Sequence, residues 1–208
     1  ATAPVPIVVE KIAEPGEDLS HWPVLGTTGY ELIAGLAGLF VDPAGFATLK
    51  NHYAAIANDG PANPVVDAKL RIITFHLAAE LSALVSLAKT AFQTVPAARD
   101  YGDDTLRRAI AGLLCAMPVY RTYCAHGSLS AADNTVLQEA RANAPVHDLI
   151  IEDEGPLDQI VALFSRDDTA ACQFVTRFQL TSGPVMAKAI EDTLFYRELT
   201  LLVLNEVG

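Results

Sequence analysis

Glu10 closes a short apolar run, Val5-Pro6-Ile7-Val8-Val9. A carboxylate at the carboxyl end of a buried parallel strand sits where α/β barrels place acid–base and nucleophilic chemistry. A strand-end glutamate that simply meets solvent would read the same way. Lys188, Glu191 and Asp192 form a second polar group, at i, i+3 and i+4 on a predicted helix from Pro184 to Val203. Such a trio either binds a polar ligand or pairs within itself on an exposed face. His76 and Glu80, also at i, i+4, could begin a metal site. The five histidines are scattered singly and no further ligands converge, so His76 reads as a solvated or core-edge side chain. Cys115, Cys124 and Cys172 stand in apolar helix-like contexts, and there is no CxxC spacing. They read as small buried thiols in a reducing compartment, not as a disulfide framework or a zinc knuckle. There is no Gly-rich phosphate loop, no GxSxG elbow and no dinucleotide fingerprint. Glu152-Asp153-Glu154 reads as a solvated loop. No cofactor and no metal is expected.

These residues need elements to hold them. Val5–Val9 has no polar alternation, as a strand buried on both faces would read. Nearly everything after it reads helical, so the partners of this strand are expected outside the chain, and both ends read as cut. A Pro/Gly-rich loop covers Pro15–Thr27. Thr28-Gly29-Tyr30-Glu31 matches a capping box with Thr28 at the N-cap, opening a helix through Leu32, Leu36, Leu39 and Phe40. Asp42-Pro43 opens the next, with Phe46, Leu49, Tyr53 and Ile56 as its stripe and Asn58-Asp59-Gly60-Pro61 as its end. One long helix is predicted from Pro64 to about Thr94 on Val66, Leu70, Ile73, Leu77, Leu81, Leu84 and Leu87. Helices follow over Leu106–Met117, from Ser130 to about Ala142, and over Thr169–Leu180 and Pro184–Val203, the last two separated at Ser182-Gly183. Val119–Cys124 fits strand or helix equally, and Pro145–Asp158 reads as a loop or a short helix.

The composition bounds the function. Of 208 residues 51% are hydrophobic and 19% charged, enough for a sizeable core and too little charge for a disordered chain. Fourteen Lys+Arg against 25 Asp+Glu give a formal net charge of -11. That is no electrostatic footprint for nucleic acid or anionic lipid, and neither partner is expected. The longest clean apolar stretch, Leu32–Val41, is about half of a bilayer crossing.

An ordered set of motifs adds to this reading. Val9-Glu10-Lys11-Ile12, Glu14-Pro15-Gly16-Glu17, Trp22-Pro23-Val24, Gly26-Thr27-Thr28-Gly29-Tyr30 and Leu39-Phe40-Val41-Asp42-Pro43-Ala44-Gly45 resemble the maltooligosyltrehalose synthase family. So do Pro118-Val119-Tyr120-Arg121-Thr122-Tyr123, Arg177-Phe178-Gln179, Thr181-Ser182-Gly183-Pro184-Val185-Met186-Ala187-Lys188, Glu191-Asp192-Thr193, Phe195-Tyr196-Arg197 and Leu204-Asn205-Glu206-Val207-Gly208. The resemblance runs in order along the whole chain.

It implies an α-amylase type of (β/α)8 enzyme carrying a large helical insertion. Such an enzyme turns the reducing-end α-1,4 bond of a maltooligosaccharide into an α,α-1,1 bond. The implied fold class is mainly α, an insertion region with a short N-terminal strand from an incomplete barrel. The implied division is 1–27 (barrel strand and active-site loop), 28–182 (helical insertion) and 183–208 (helical return segment). Glu10 falls on the family's general acid/base; the nucleophile Asp and a His-Asp motif are expected outside the chain, so the chain alone is expected to be inactive. The resemblance also implies that Lys188, Glu191, Asp192, Phe195 and Tyr196 line a glucose pocket, with Trp22, Tyr30 and Arg121 as further substrate-binding residues. The implied partners are the maltooligosaccharide and the remainder of the barrel, in the cytoplasm. Ala13, Ala189 and Glu198-Leu199-Thr200 depart from the family pattern. A non-catalytic helical interaction module and a related α-glucan hydrolase are the alternative readings.

Overall fold

A computed structural model describes residues 5–13, 17–56 and 63–197 of the chain. It is mainly helical and divides into two compact units, one of residues 1–62 with 193–208 and one of Asn63–Asp192.

In the first unit, β1 (Val8–Val9) pairs in parallel with β2 (Gly26–Thr27), Val8 opposite Gly26 and Val9 opposite Thr27. The Leu25 N–H donates to the Ile7 carbonyl at 2.7 Å and extends the ladder. The expectation that no partner strand lies in the chain is therefore corrected. A Gly-Thr pair inside a Pro/Gly-rich loop carries none of the β-branched alternation that would mark a strand. The two-face burial expected of Val5–Val9 is also absent here, since Val5, Ile7 and Val8 are exposed. α1 (Tyr30–Gly38) starts one residue later than the capping box predicts. Gly29 takes a left-handed φ of +81° that a side chain would resist, and its N–H donates to the Thr27 hydroxyl at 3.2 Å. Thr28 is thus not the cap; the Glu31 side chain lies outside the described residues. α2 (Pro43–Ile56) is capped as expected, with the Gly45 N–H donating to Asp42 Oδ2 at 2.6 Å. Its end signal at residues 58–61 lies outside the described residues, as do residues 14–16, Glu198-Leu199-Thr200 and the 204–208 motif. α2 buries no residue; Leu49, Tyr53 and Ile56 of its stripe are exposed.

The second unit holds the core. Asn63 caps α3 (Pro64–Arg71) by accepting from the Val66 N–H at 3.2 Å, with proline in the first turn. The single long helix expected over 64–94 is instead two. α3 widens into a π-helical turn over Ile72–His76, and α4 (Ala78–Phe92) leaves it at 82°. Neither proline nor glycine causes the bend. Three β-branched residues in a row, Ile72-Ile73-Thr74, crowd the turn. The Leu77 N–H then closes on the Ile72 carbonyl at 2.9 Å, one residue further back than an α-helix would allow. The heptad-like spacing survives such a bend, which is why periodicity alone missed it.

α4 packs on α8 (Thr169–Met186) and α5 (Asp103–Ala116). Leu84, Phe92, Leu106, Ile110, Leu113, Phe174 and Phe178 are fully buried between them. Phe164 stands edge-on to Phe174 and Phe178, with centroids 6.4 and 5.3 Å away. α6 (Ala131–Ala142) begins at Ser130 as expected, its hydroxyl accepting from the Asp133 N–H at 3.0 Å. α7 (Gly155–Ala162) lies at the end of the acidic stretch, where Arg141 reaches both Glu154 and Asp158 at 2.6 Å.

The break expected at Ser182-Gly183 does not occur; α8 runs through it with Pro184 inside. Proline removes the donor that the Leu180 carbonyl would otherwise receive, and both residues are exposed, so that carbonyl faces no apolar burial. α8 then widens into a second π-helical turn, Ala187–Leu194, and ends in a three-residue helix, α9 (Phe195–Arg197). Among the described residues no single helix is long and apolar enough to cross a membrane.

Candidate functional site

Glu10 follows β1 directly and is exposed. Next to it the Lys11 side chain is buried, and its ammonium donates to both carboxylate oxygens of Glu17 at 2.8 Å. This bidentate pair ties the residue after Glu10 to the start of the following loop. Trp22 and Tyr30 are half-buried in the same unit, Trp22 in a bend closed by its N–H on the Leu19 carbonyl at 3.0 Å. Phe195, half-buried, and Tyr196, exposed, also belong to that unit. Lys188, Glu191, Asp192 and Arg121 belong to the other.

The π-helical turn bears on the Lys188 trio. Lys188 and Asp192 are exposed and Glu191 is half-buried. A wider turn places i and i+4 nearer one line and carries i+3 further round, so Lys188 and Asp192 share a face more closely than on an α-helix. Helices seldom widen in this way, and where they do it is often at functional sites. By contrast, His76 and Glu80 fall on either side of the 82° bend, and Glu80 pairs with Arg177. No cluster of metal-ligating side chains occurs among the described residues.

Two of the sequence motifs meet at a third place. Val119–Cys124, which fits strand or helix by sequence, is neither; residues 118–124 run irregularly beside α8, held by its side chains. Gln179, buried, accepts from the Cys124 N–H at 2.7 Å and the Thr122 hydroxyl at 3.1 Å, and donates to the Cys124 carbonyl at 3.0 Å. The amide thus treats Cys124 as a neighbouring strand would. Ser182 donates to the Tyr120 carbonyl at 2.7 Å. Asp133, at the start of α6, accepts from the Tyr123 N–H at 3.1 Å. The pinned segment carries Arg121, whose guanidinium lies 5.0 Å from the centroid of the Tyr123 ring. The sequence resemblance points to Arg121 as a site residue and not to Tyr123. The 118–123 and 177–179 motifs are both part of the ordered resemblance, and the fold brings them into contact.

Within the second motif, Arg177 pairs with Glu80 across α4 and α8, Phe178 enters the core, and Gln179 pins the loop. A cleft of about 650 Å³ lies along α8, lined by Cys172, Gln173, Thr176 and Arg177 together with Leu87, His126 and Asp167. None of the sequence-predicted site residues lines it. Cys115 and Cys124 are buried as expected, whereas Cys172 is only half-buried. Burial pushes Cys115 up to about 12 and Cys124 up to about 11, and all three cysteines are free.

No family model matches the chain, and no solved structure does. Among curated proteins, two are similar, each named "Putative maltooligosyl trehalose synthase", from Mycobacterium tuberculosis strains CDC 1551 / Oshkosh and ATCC 25618 / H37Rv. Each is 32% identical over 203 residues, which is 97% of this chain and 24% of that protein. The chain therefore spans about a quarter of the length of the curated relatives it matches. Along nearly all of its own length, the chain is similar to a stretch of maltooligosyl trehalose synthase, as its ordered motifs indicated.

Proposed function

We propose that this chain is part of an enzyme that isomerises the reducing-end α-1,4 bond of a maltooligosaccharide to an α,α-1,1 bond. The observation that carries the reading is the ordered likeness to maltooligosyl trehalose synthase over 203 residues. In this reading β1 is one stave of a (β/α)8 barrel, and Glu10 at its carboxyl end is the general acid/base. A retaining reaction needs a carboxylate nucleophile and a second carboxyl that acts first as acid and then as base. Glu10 protonates the glycosidic oxygen as the glycosyl-enzyme forms. It then takes a proton from the anomeric hydroxyl of the released glucose as that sugar, turned over, attacks. The pocket must hold glucose and exclude water for the duration.

Lys188, Glu191 and Asp192 bind hydroxyls of that glucose, and Phe195 and Tyr196 stack on its faces, with Trp22, Tyr30 and Arg121 contacting the glucan. The π-helical turn under the first three supports this assignment. The exposed apolar residues of α1 and α2 suit cover by the remainder of a larger protein. The three free cysteines fit a reducing compartment, and a cytoplasmic location is part of the proposal.

The test is product analysis with the complete enzyme carrying this chain and maltopentaose as substrate. The expected result is loss of reducing ends with an intact degree of polymerisation. Accumulation of glucose and maltotetraose would favour hydrolysis and refute the isomerase reading.

A further inference from the structure

We propose that Lys11 and Glu17 are positioning residues for Glu10, fixing the backbone from which its carboxyl is presented at the end of β1. Among the described residues from 5 to 56, Lys11 is the one buried residue, its side chain 4% exposed, while the apolar Val5, Ile7, Val8 and Leu25 of the same unit are exposed. The hydrophobic effect alone would bury them in the opposite order. A lysine goes inside only when its ammonium is paired, and here it donates to both carboxylate oxygens of Glu17 at 2.8 Å, the Glu17 side chain being 18% exposed. Removing one partner of such a pair strands a charge away from water, so the contact holds as a whole or not at all. It links residues only six apart in the chain, so it joins no distant elements. What it fixes is local, the backbone immediately after Glu10.

Glu10 is thereby held from both flanks. On one side Val9 is in register with Thr27 of β2. On the other Lys11 turns inward to Glu17, while Glu10 itself stays exposed. With both neighbours fixed, what remains to Glu10 is rotation about its own side-chain bonds. A general acid must lie within hydrogen-bond reach of the oxygen it protonates, and a misplacement of about 1 Å costs about a hundredfold in rate. The pair supplies this hold without a net charge, because ammonium and carboxylate cancel. An uncompensated lysine beside the acid would favour its deprotonated form, the wrong one for the first step. An apolar side chain at position 11 would bury more readily but would lack the directional grip of two hydrogen bonds. The positioning role rests on the reading of Glu10 as the acid/base; the buried pair stands on the geometry alone.

The test compares the complete enzyme carrying this chain with its Lys11→Met and Lys11→Met/Glu17→Gln variants, on maltopentaose and on maltotetraosyl fluoride. Both variants break the ion pair; the second strands no charge, and decides the matter where the first does not fold. In the fluoride substrate the C–F bond breaks as the nucleophile carboxylate bonds to the anomeric carbon, and fluoride departs without a proton, so the first turnover does not need the acid. On maltopentaose kcat is expected to fall at least about tenfold with KM within about twofold of the parent. First-turnover fluoride release is expected to stay within about threefold. An equal loss on both substrates, or kcat on maltopentaose within about threefold of the parent, would overturn the positioning role. So would loss of helix content by circular dichroism in both variants, which would make the pair structural. Glu10→Gln, measured alongside, keeps the two ideas apart. An active Glu10→Gln enzyme removes the acid/base reading, whereas an inactive one beside a fully active Lys11→Met enzyme removes the positioning role alone.

Discussion

Replacing Gln179 with Leu removes one amide and strands three groups at once. The Cys124 N–H, the Cys124 carbonyl and the Thr122 hydroxyl lose partners at 2.7, 3.0 and 3.1 Å. Cys124 and Thr122 are 6% and 1% exposed, so water does not reach them without movement of the segment. A stranded buried polar group costs about 1–3 kcal/mol. Residues 118–124 have no helix or sheet of their own to resist rearrangement, so the low end applies to each, about 3 kcal/mol in all. With a urea dependence of roughly 2 kcal/mol/M, the unfolding midpoint should fall by roughly 1.5 M. Gln179→Glu separates the two roles of the amide. Its carboxylate still accepts from Cys124 and Thr122 but has no donor for the Cys124 carbonyl, so at neutral pH it too should destabilise. Urea titrations followed by far-ultraviolet circular dichroism decide the matter. If Gln179→Leu unfolds within about 0.2 M of the parent, the segment is not held by this amide.

Other positions give sharper, smaller tests. Gly127 has a φ of +70°, and a Cβ there would lie 3.0 Å from the Arg166 carbonyl carbon. Gly127→Ala should cost about 2 kcal/mol and lower Tm by roughly 4–8 °C in calorimetry. Asp168 caps α8 through the Ala171 N–H at 3.1 Å and pairs with Arg166 at 2.6 Å. Partial burial is the largest single influence and pushes its carboxyl up, but the backbone N–H bonds and the Arg166 guanidinium together hold it below the ordinary 3.8. A carboxyl lowered by folding stabilises above its unfolded pKa, and that stability is lost as pH falls through the lower, folded value. Asp168→Asn keeps the cap. The gap in urea midpoint between parent and variant should therefore be present at pH 6 and close as the pH is lowered below 3.8. A gap that widens in acid would reverse the assignment. Cys115 and Cys124, pushed up to about 12 and about 11, should resist a thiol reagent at pH 8 in the folded chain, with only Cys172 reacting. Prompt reaction of all three would contradict the packing.

Local signals were legible where one residue does one job. Asp42, Ser130 and Pro64 begin helices because their side chains satisfy, or do not need, the first backbone N–H groups. The apolar spacing of residues 66–87 reported burial correctly but not direction. A π-helical turn preserves one buried stripe while swinging the axis by 82°. Ser182-Gly183-Pro184 reads as a helix break in isolation. Its continuity depends on Ser182 having the Tyr120 carbonyl to bond, a contact 62 residues away that no local pattern contains. β2 was invisible for a similar reason, because Gly26-Thr27 becomes a strand only by pairing with Val8-Val9. The candidate site divides likewise. The Lys188 trio was marked by its charges, whereas the wider turn beneath it was not. Residues 118–123 are legible as a motif, but the hold of Gln179 on Thr122 and Cys124, across 55–57 residues of chain, is not.

The central claim is that Glu10 moves a proton at a glycosidic oxygen. The direct measurement is kcat of the complete enzyme on maltopentaose with Glu10→Gln against the parent, with folding verified for both. Glutamine keeps the shape and cannot exchange the proton, so kcat should fall by about 10²–10⁴-fold, the usual contribution of a general acid/base. Turnover within a few-fold of the parent would place the chemistry elsewhere.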